Sequence, residues 1–259
     1  MKKYFPLFWV FYLLCAFSAH AGEGRYTIPL TGGGWSLWLD KEASWQNDRL
    51  YLPHEITDLS LLPVNVPTGG WQTLSHNPDA VPVEVPGTVE EYLTVTDNPR
   101  PENFRGVSWW YRKITIPADQ QKKRFIIYFE SVRMRAEVYL DGKLVAYDLI
   151  GETPFHVDIT DEAKPGKEQL LAIRVTNPGG NFHWQDFDIM KWGEYNIPPS
   201  RSFTGIIGRV KLESVNPVFI SDIYMQNTPE LTKVNAILSF TNETSSSVKQ
   251  DVELIVNEK

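Results

Sequence analysis

At 259 residues and 42% apolar content, the chain is long enough to bury a sizeable core and to hold more than one domain. A formal net charge of −7 sets it against phosphate backbones and anionic lipid, so nucleic acid and peripheral membrane binding are not expected. Aromatic residues reach 13%, nine of them Trp, which suits thick β-sandwich cores and also surfaces on which the apolar face of a sugar ring can stack.

Residues 1–21 read as a secretory signal peptide. Lys2-Lys3 is a basic start, Leu7 to Leu14 is an apolar run too short to span a bilayer, and Ala19-His20-Ala21 is a small-x-small cleavage site. The protein is therefore expected to be exported, to the periplasm or the exterior, with Gly22 as its mature N-terminus. Cys15 is the single cysteine, and Leu13-Leu14 before it lacks the small residues of lipoprotein processing. The mature chain is then left without disulfide or thiolate chemistry. No later segment is long and apolar enough for a membrane span.

From Tyr26 to Pro86 the pattern is loop-rich with short strands. Gly32-Gly33-Gly34 is followed by neither Gly-Lys-Ser/Thr nor a helix pattern, so it reads as a flexible entry to the strand Trp35–Asp40 rather than a phosphate loop. Val81 to Val85 carries Pro82 and reads as an edge strand that ends in a turn. In Trp109 to Pro117, Trp110, Arg112, Ile114 and Ile116 share one face, while Trp109, Tyr111, Lys113 and Thr115 share the other. Phe125 to Glu130, apolar on both faces, reads as a buried strand, and Ala136 to Leu140 as a half-exposed one. Asp141-Gly142 supplies the positive φ angles of a tight hairpin, so Lys143 to Ala146 should return beside Val138 and Leu140. Arg133 and Arg135, flanking Met134, read as turn charges in water.

Phe155 to Ile159, Leu170 to Val175 and Arg209 to Glu213 add further strands, and the long irregular stretch Asn177 to Gly208 lies before the last. Irregular stretches of that length inside compact domains are usually functional. No stretch of ten residues holds a 3.6 period, so the fold is expected to be all-β, a jelly-roll β-sandwich over residues 22–215. Residues 216–259 form a second unit with strands at Phe219–Tyr224, Val234–Phe240 and Val252–Val256. Three strands are fewer than the roughly seven of an immunoglobulin-like sandwich, so this unit reads as incomplete.

Trp110-Tyr111-Arg112-Lys113, Phe129-Glu130-Ser131-Val132, Val138 to Lys143, Gly151 to Phe155 and Asp158-Ile159-Thr160 follow one another with characteristic gaps. In that order they resemble the N-terminal sugar-binding domain of glycoside hydrolase family 2, the β-galactosidase, β-glucuronidase and β-mannosidase group, over about residues 30 to 215. The resemblance implies a galactose-binding-like jelly roll followed by an immunoglobulin-like domain. It also implies that the two catalytic glutamates lie on a (β/α)8 barrel beyond that domain. Retaining hydrolysis needs two carboxyls about 5 Å apart on a rigid scaffold, and nothing in this sequence reads as a barrel. The expected role is therefore the non-catalytic, carbohydrate-binding part of an exported hydrolase of β-linked glycans, its partner the barrel of the same polypeptide.

Two loops of such a domain reach the catalytic site, and the matching positions here are Asn103 and either Asp186 or Asp188. A carboxylate suits this job because it accepts directional hydrogen bonds from sugar hydroxyls. The family's short Asn-Pro-x-Gly turn is replaced by Asn103-Phe104-Arg105-Gly106. Two other readings stand beside this one. One is a free-standing carbohydrate-binding module with Trp184, Trp192 and Tyr195 as a stacking platform, and the other is a structural sandwich without a sugar site. His183, Asp186 and Asp188 on one loop lack a closing fourth ligand, so neither a metal nor a cofactor is expected.

Overall fold

A computed structural model of the chain describes residues 24–51, 55–93, 104–178, 204–230, 232–249 and 251–252, with the backbone of 190–192 and 195–197. The strands among them are β1 (Arg25–Pro29), β2 (Gly32–Asp40), β3 (Val81–Val85), β4 (Gly87–Thr88), β5 (Gly106–Thr115), β6 (Arg124–Phe129), β7 (Arg135–Leu140) and β8 (Lys143–Asp148). They continue with β9 (Phe155–Asp158), β10 (Glu168–Asn177), β11 (Met190–Trp192), β12 (Tyr195–Ile197), β13 (Gly205–Ile206), β14 (Val210–Val215), β15 (Val218–Asn227) and β16 (Val234–Asn242). Two short helices, α1 (Gln72–His76) and α2 (Val89–Tyr92), interrupt them. Among the described residues no helix is long and apolar enough to cross a membrane.

The chain is a β-sandwich. A six-stranded sheet in the order β3-β2-β5-β10-β7-β8 faces a four-stranded sheet in the order β1-β14-β6-β9, and their strand pairs are antiparallel. Alternation along β5 dictates this packing. Trp110 and Ile114 join Leu37, Val138 and Ile173 of their own sheet and Ile127, Phe129 and Leu212 of the other in one core. Trp109 and Tyr111 enter a second core on the outer face. β3 occupies the sheet edge, where Pro82 costs no ladder bond that a central strand would need. Asp141 and Gly142 have φ of 48° and 85°, as the hairpin turn demands, and Leu140 pairs with Lys143 and Val138 with Ala146.

Four expectations are corrected. β6 is buried on one face only: Phe125, Ile127 and Phe129 are buried, whereas Arg124, Ile126 and Tyr128 are half-buried. β7, expected to be half-exposed, is buried at every position. The cause is the segment between β2 and β3, which brings Leu62, Trp71 and Leu74 onto Trp109, Tyr139 and Leu144 of the outer face. There the rings of Trp71, Trp109 and Tyr139 lie 5.0 to 5.7 Å apart. Gly32-Gly33-Gly34 belongs to β2, with the register shifting between Gly32 and Trp35, and is not a separate entry. Arg135 is not in water; it is 1% exposed. Arg133, the other expected turn charge, reaches Glu152 at 2.7 Å.

Arg135 lies in a buried ionic network that fastens the covering segment to the sheet. Its guanidinium donates to Glu137 Oε1 and Asp48 Oδ2, each at 2.6 Å. Arg174, on the neighbouring strand, donates to Glu137 Oε2 at 2.9 Å, to Thr176 Oγ1 at 3.0 Å and to the Ser44 carbonyl at 3.1 Å. Asn65 Nδ2 completes the ring at Glu137 Oε1, 2.7 Å away. Burial opposes the charge of Arg135, but the carboxylates of Glu137 and Asp48 outweigh it and its pKa stands raised. Asp40, also buried, ties the segment a second time by accepting from Thr68 N at 2.9 Å and Trp109 Nε1 at 3.2 Å.

β15 and β16 pair as a separate ribbon after the sandwich, with a bulge between Ile220 and Asp222. Ile223, Tyr224, Ile237 and Phe240 are exposed on it. Of the third strand expected in this unit, 252–256, all but Val252 lies outside the described residues.

Glu137→Ala leaves Arg135 and Arg174 buried with one carboxylate fewer, Asp48 staying in reach of both, and is expected to cost about 3–5 kcal/mol. Urea unfolding of the variant against the parent chain measures it.

Candidate functional site

Antiparallel register fixes which loops share an end of the sandwich. Gly106 is opposite Asn177, Val107 opposite Asp40, Arg135 opposite Thr176, and Ala136 opposite Asp148. The end of β2, the starts of β5 and β7 and the ends of β8 and β10 therefore form one rim. The second sheet delivers its strands to the same end. Only five residues join the end of β6 to β7, and Phe129 pairs with both Val210 and Phe155.

Two segments spring from this rim. Residues 94–103 connect α2 to β5, and residues 179–203 run from β10 to β13. Their roots are bonded together in two places. Phe104 is buried and its carbonyl accepts from Asn177 Nδ2 at 2.8 Å, which joins the end of the first segment to the start of the second. Val89 N donates to the Thr204 carbonyl at 2.8 Å, and Thr204 N donates to Glu90 Oε2 at 3.2 Å, joining the remaining two roots. Thr88 makes this possible as the N-cap of α2, its Oγ1 accepting from Glu91 N at 3.2 Å.

The turn between β6 and β7 supports the same roots. Arg133 and Gly205 exchange both backbone bonds at 2.8 Å, and Thr204 Oγ1 donates to the Arg133 carbonyl at 3.1 Å. Glu130 clasps Arg209 at the start of β14, accepting from its Nε at 3.1 Å, its Nη2 at 3.0 Å and its backbone N at 2.9 Å. These bonds hold the Glu130 carboxyl down at about 2. Asp148, at the end of β8, is shifted the opposite way. Burial pushes its carboxyl up, against the hydrogen bonds from Gly151 N and Ile150 N.

All five expected site residues, Asn103, Trp184, Asp186, Asp188 and Trp192, fall outside the described side chains; Trp192 is described only as backbone, paired with Tyr195. The structure brings together the roots of the segments that carry them. His183, weighed above as a ligand, also lies outside the described residues. Among the described residues no group of three or more His, Cys, Asp or Glu is placed to hold a metal ion. Sequence reasoning missed the groups that build the rim: Asn177, Thr204 and Glu90 at the roots, and Asp48, Glu137 and Arg174 beneath them. One signal was legible, since charged residues alternating with large apolar ones on neighbouring strands must find partners when the sheet is covered.

The described residues thus form a β-sandwich with the roots of two long segments bonded side by side at one end. Residues 32–197 match the family described as "Glycosyl hydrolases family 2, sugar binding domain", and the chain belongs to this family. Among curated relatives, a β-glucuronidase of Formosa agariphila is 31% identical over 118 residues, 46% of this chain and 12% of the relative. A β-galactosidase of Thermoanaerobacter pseudethanolicus is 32% identical over 124 residues, 48% of this chain and 16% of the relative. The crystal structure of Ruminococcus gnavus β-glucuronidase shares the fold, with a TM-score of 0.57 at 19% identity over 86% of this chain and 35% of that one. The chain thus spans a small part of the length of the proteins it resembles.

Asn177→Ala removes the bond that joins the two roots. It is expected to cost about 1–3 kcal/mol and to speed amide hydrogen exchange at Gly106 and Asn177. Because burial raises the Asp148 carboxyl, the folded state holds a proton there more tightly than the unfolded chain does. Asp148→Asn, which keeps an acceptor for Gly151, should therefore stabilise the protein at neutral pH. The gain fades as pH falls through the raised value toward the ordinary 3.8, and thermal unfolding across that range measures it.

Proposed function

We propose that this chain is the non-catalytic, sugar-contacting part of an exported glycoside hydrolase that cleaves O-glycosidic bonds in β-linked glycans. In this reading residues 22–215 form the sugar-binding unit and residues 216–259 begin an immunoglobulin-like one. The catalytic barrel is supplied elsewhere in the same polypeptide. One observation carries the reading: the Asn177–Phe104 bond, with Gly106 paired to Asn177, roots the segments bearing Asn103 and Asp186/Asp188 next to each other. A rim built this way can deliver polar groups from two segments to one saccharide.

Within the rim Asn103 offers an amide that donates and accepts, and Asp186 or Asp188 a carboxylate that accepts from sugar hydroxyls. Trp184 and Trp192 supply faces on which a pyranose stacks. None of these groups performs the bond cleavage. Their work is orientation, which matters because holding a glycosidic bond at the correct angle to a pair of carboxyls lowers the barrier entropically. The relatives named β-glucuronidase and β-galactosidase support a β-glycoside as substrate class.

In the complete polypeptide, Asn103→Ala and whichever of Asp186→Ala and Asp188→Ala removes the sugar contact should each lower kcat/KM on a β-glycoside by about tenfold or more, at unchanged stability. If all three variants stay within twofold of the parent, the rim reading is overturned. Export is tested separately by N-terminal sequencing of the secreted protein, expected to begin at Gly22.

A further inference from the structure

The chain passes from the sandwich to the β15–β16 ribbon through only two residues, Asn216 and Pro217. Apolar packing does not set the direction the ribbon takes. Among the described residues neither core takes in a side chain from β15 or β16, and Ile223, Tyr224, Ile237 and Phe240 stay exposed. What joins the two parts is polar, and it grips them from both sides of β14. The last residue of that strand, Val215, is paired with Arg25 on β1 and with Arg124 on β6, so two arginines flank the point of exit.

Arg25 Nη1 donates to both carboxylate oxygens of Glu213 at 3.1 Å, and its Nη2 donates to the Ile220 carbonyl of β15 at 2.7 Å. That carbonyl sits at the bulge, where Ser221 is the extra residue and the ladder to β16 is locally disrupted. On the other side Arg124 is bonded to Asp158, and its Nη1 lies 3.6 Å from Glu243 Oε2, one residue beyond β16. Glu243 N donates in turn to the Pro217 carbonyl at 3.0 Å, which ties the end of β16 to the linker itself. Lys123 Nζ donates to Asn216 Oδ1, and a Cβ on Gly24 would stand 2.6 Å from Asn216 Nδ2, so the linker is packed closely as well. Arg25 is the group that spans the joint. A guanidinium is a planar fork that holds two acceptors at a fixed angle, which a lysine cannot do. Here one arm holds the sandwich and the other the ribbon. Glu213 is only 10% exposed and also accepts from Lys211 Nζ at 2.9 Å, so the fork has an anchored base. The Arg124–Glu243 contact is longer and more exposed, and acts as a secondary stay.

We infer that this joint is a polar clamp, with Arg25 as its positioning residue, that fixes the direction in which the chain leaves the sandwich. In the polypeptide proposed above, the barrel inherits that direction relative to the rim. That the direction serves catalysis rests on the reading above; that it is fixed does not.

The test is the distance between spin labels on the two parts of the 259-residue chain, in a Cys15→Ser background. The labels are carried by Lys167→Cys on the sandwich and Gln226→Cys on the ribbon, both exposed positions. The parent is expected to give one narrow distance distribution. Arg25→Ala and Arg25→Lys should each broaden it about twofold or more, because the two-residue linker is then free to act as a hinge. Lys233→Ala, which removes an ion pair with Glu230 inside the ribbon region, should leave it unchanged. A parent distribution as broad as that of Arg25→Ala overturns the inference, as does an Arg25→Ala or Arg25→Lys distribution as narrow as the parent's. Amide hydrogen exchange of β15 and β16 is followed alongside, and lost protection there in Arg25→Ala also overturns it, since the ribbon has then unfolded rather than swung. In the complete polypeptide Arg25→Ala should lower kcat/KM on a β-glycoside by about threefold or more, and a smaller loss removes the clamp from catalysis. Silence of the Asn103, Asp186 and Asp188 variants overturns the rim reading alone, because the label distances involve no sugar.

Discussion

Trp109 and Trp110 are neighbours in sequence and fully buried on opposite faces of the same sheet. A strand that carries large aromatic side chains on both faces forces its sheet to be covered twice. One cover is the four-stranded sheet; the other is the segment between β2 and β3, which has almost no regular structure. That second cover cannot rely on a repeating hydrogen-bond ladder. It is fastened by discrete contacts: the Trp71 ring against Trp109 and Tyr139, Asp40 to Thr68, and the Arg135–Glu137–Arg174–Asp48 network.

This arrangement explains what could be read from the sequence and what could not. Alternation announced β5, β10 and β14, and Asp141-Gly142 announced its hairpin, because those signals are local to each strand and turn. The burial of β6 and β7 was read the wrong way round for a nonlocal reason. Phe125 to Phe129 is more apolar than Arg135 to Leu140, but what decides burial is which sheet the 41–80 segment lies against, and that segment carries no period of its own. Glu137 lies in a strand expected to be half-exposed, yet two arginines, one of them 37 residues away on the adjacent strand, meet it in a buried network.

The rim was legible only by resemblance. Register between β5 and β10 sets Gly106 against Asn177, and no spacing within either strand contains that information. Asn103 and the Asp186/Asp188 pair were chosen by their positions in segments that match a family pattern. What the structure adds is the common foundation of those segments. Long loops that carry function work best on a rigid base, and here the base is a strand pair buried on both faces.

Gly205 closes that foundation in an unusual way. A Cβ there would stand 2.3 Å from the Gly87 carbonyl oxygen and 2.9 Å from the Trp110 ring, and its φ is 154°. The returning backbone is thus wedged between two edges with no room for a side chain. The point of return is nailed down at Gly205 as the point of departure is at Asn177, so the frame into which the intervening span is set belongs to the box and not to the span.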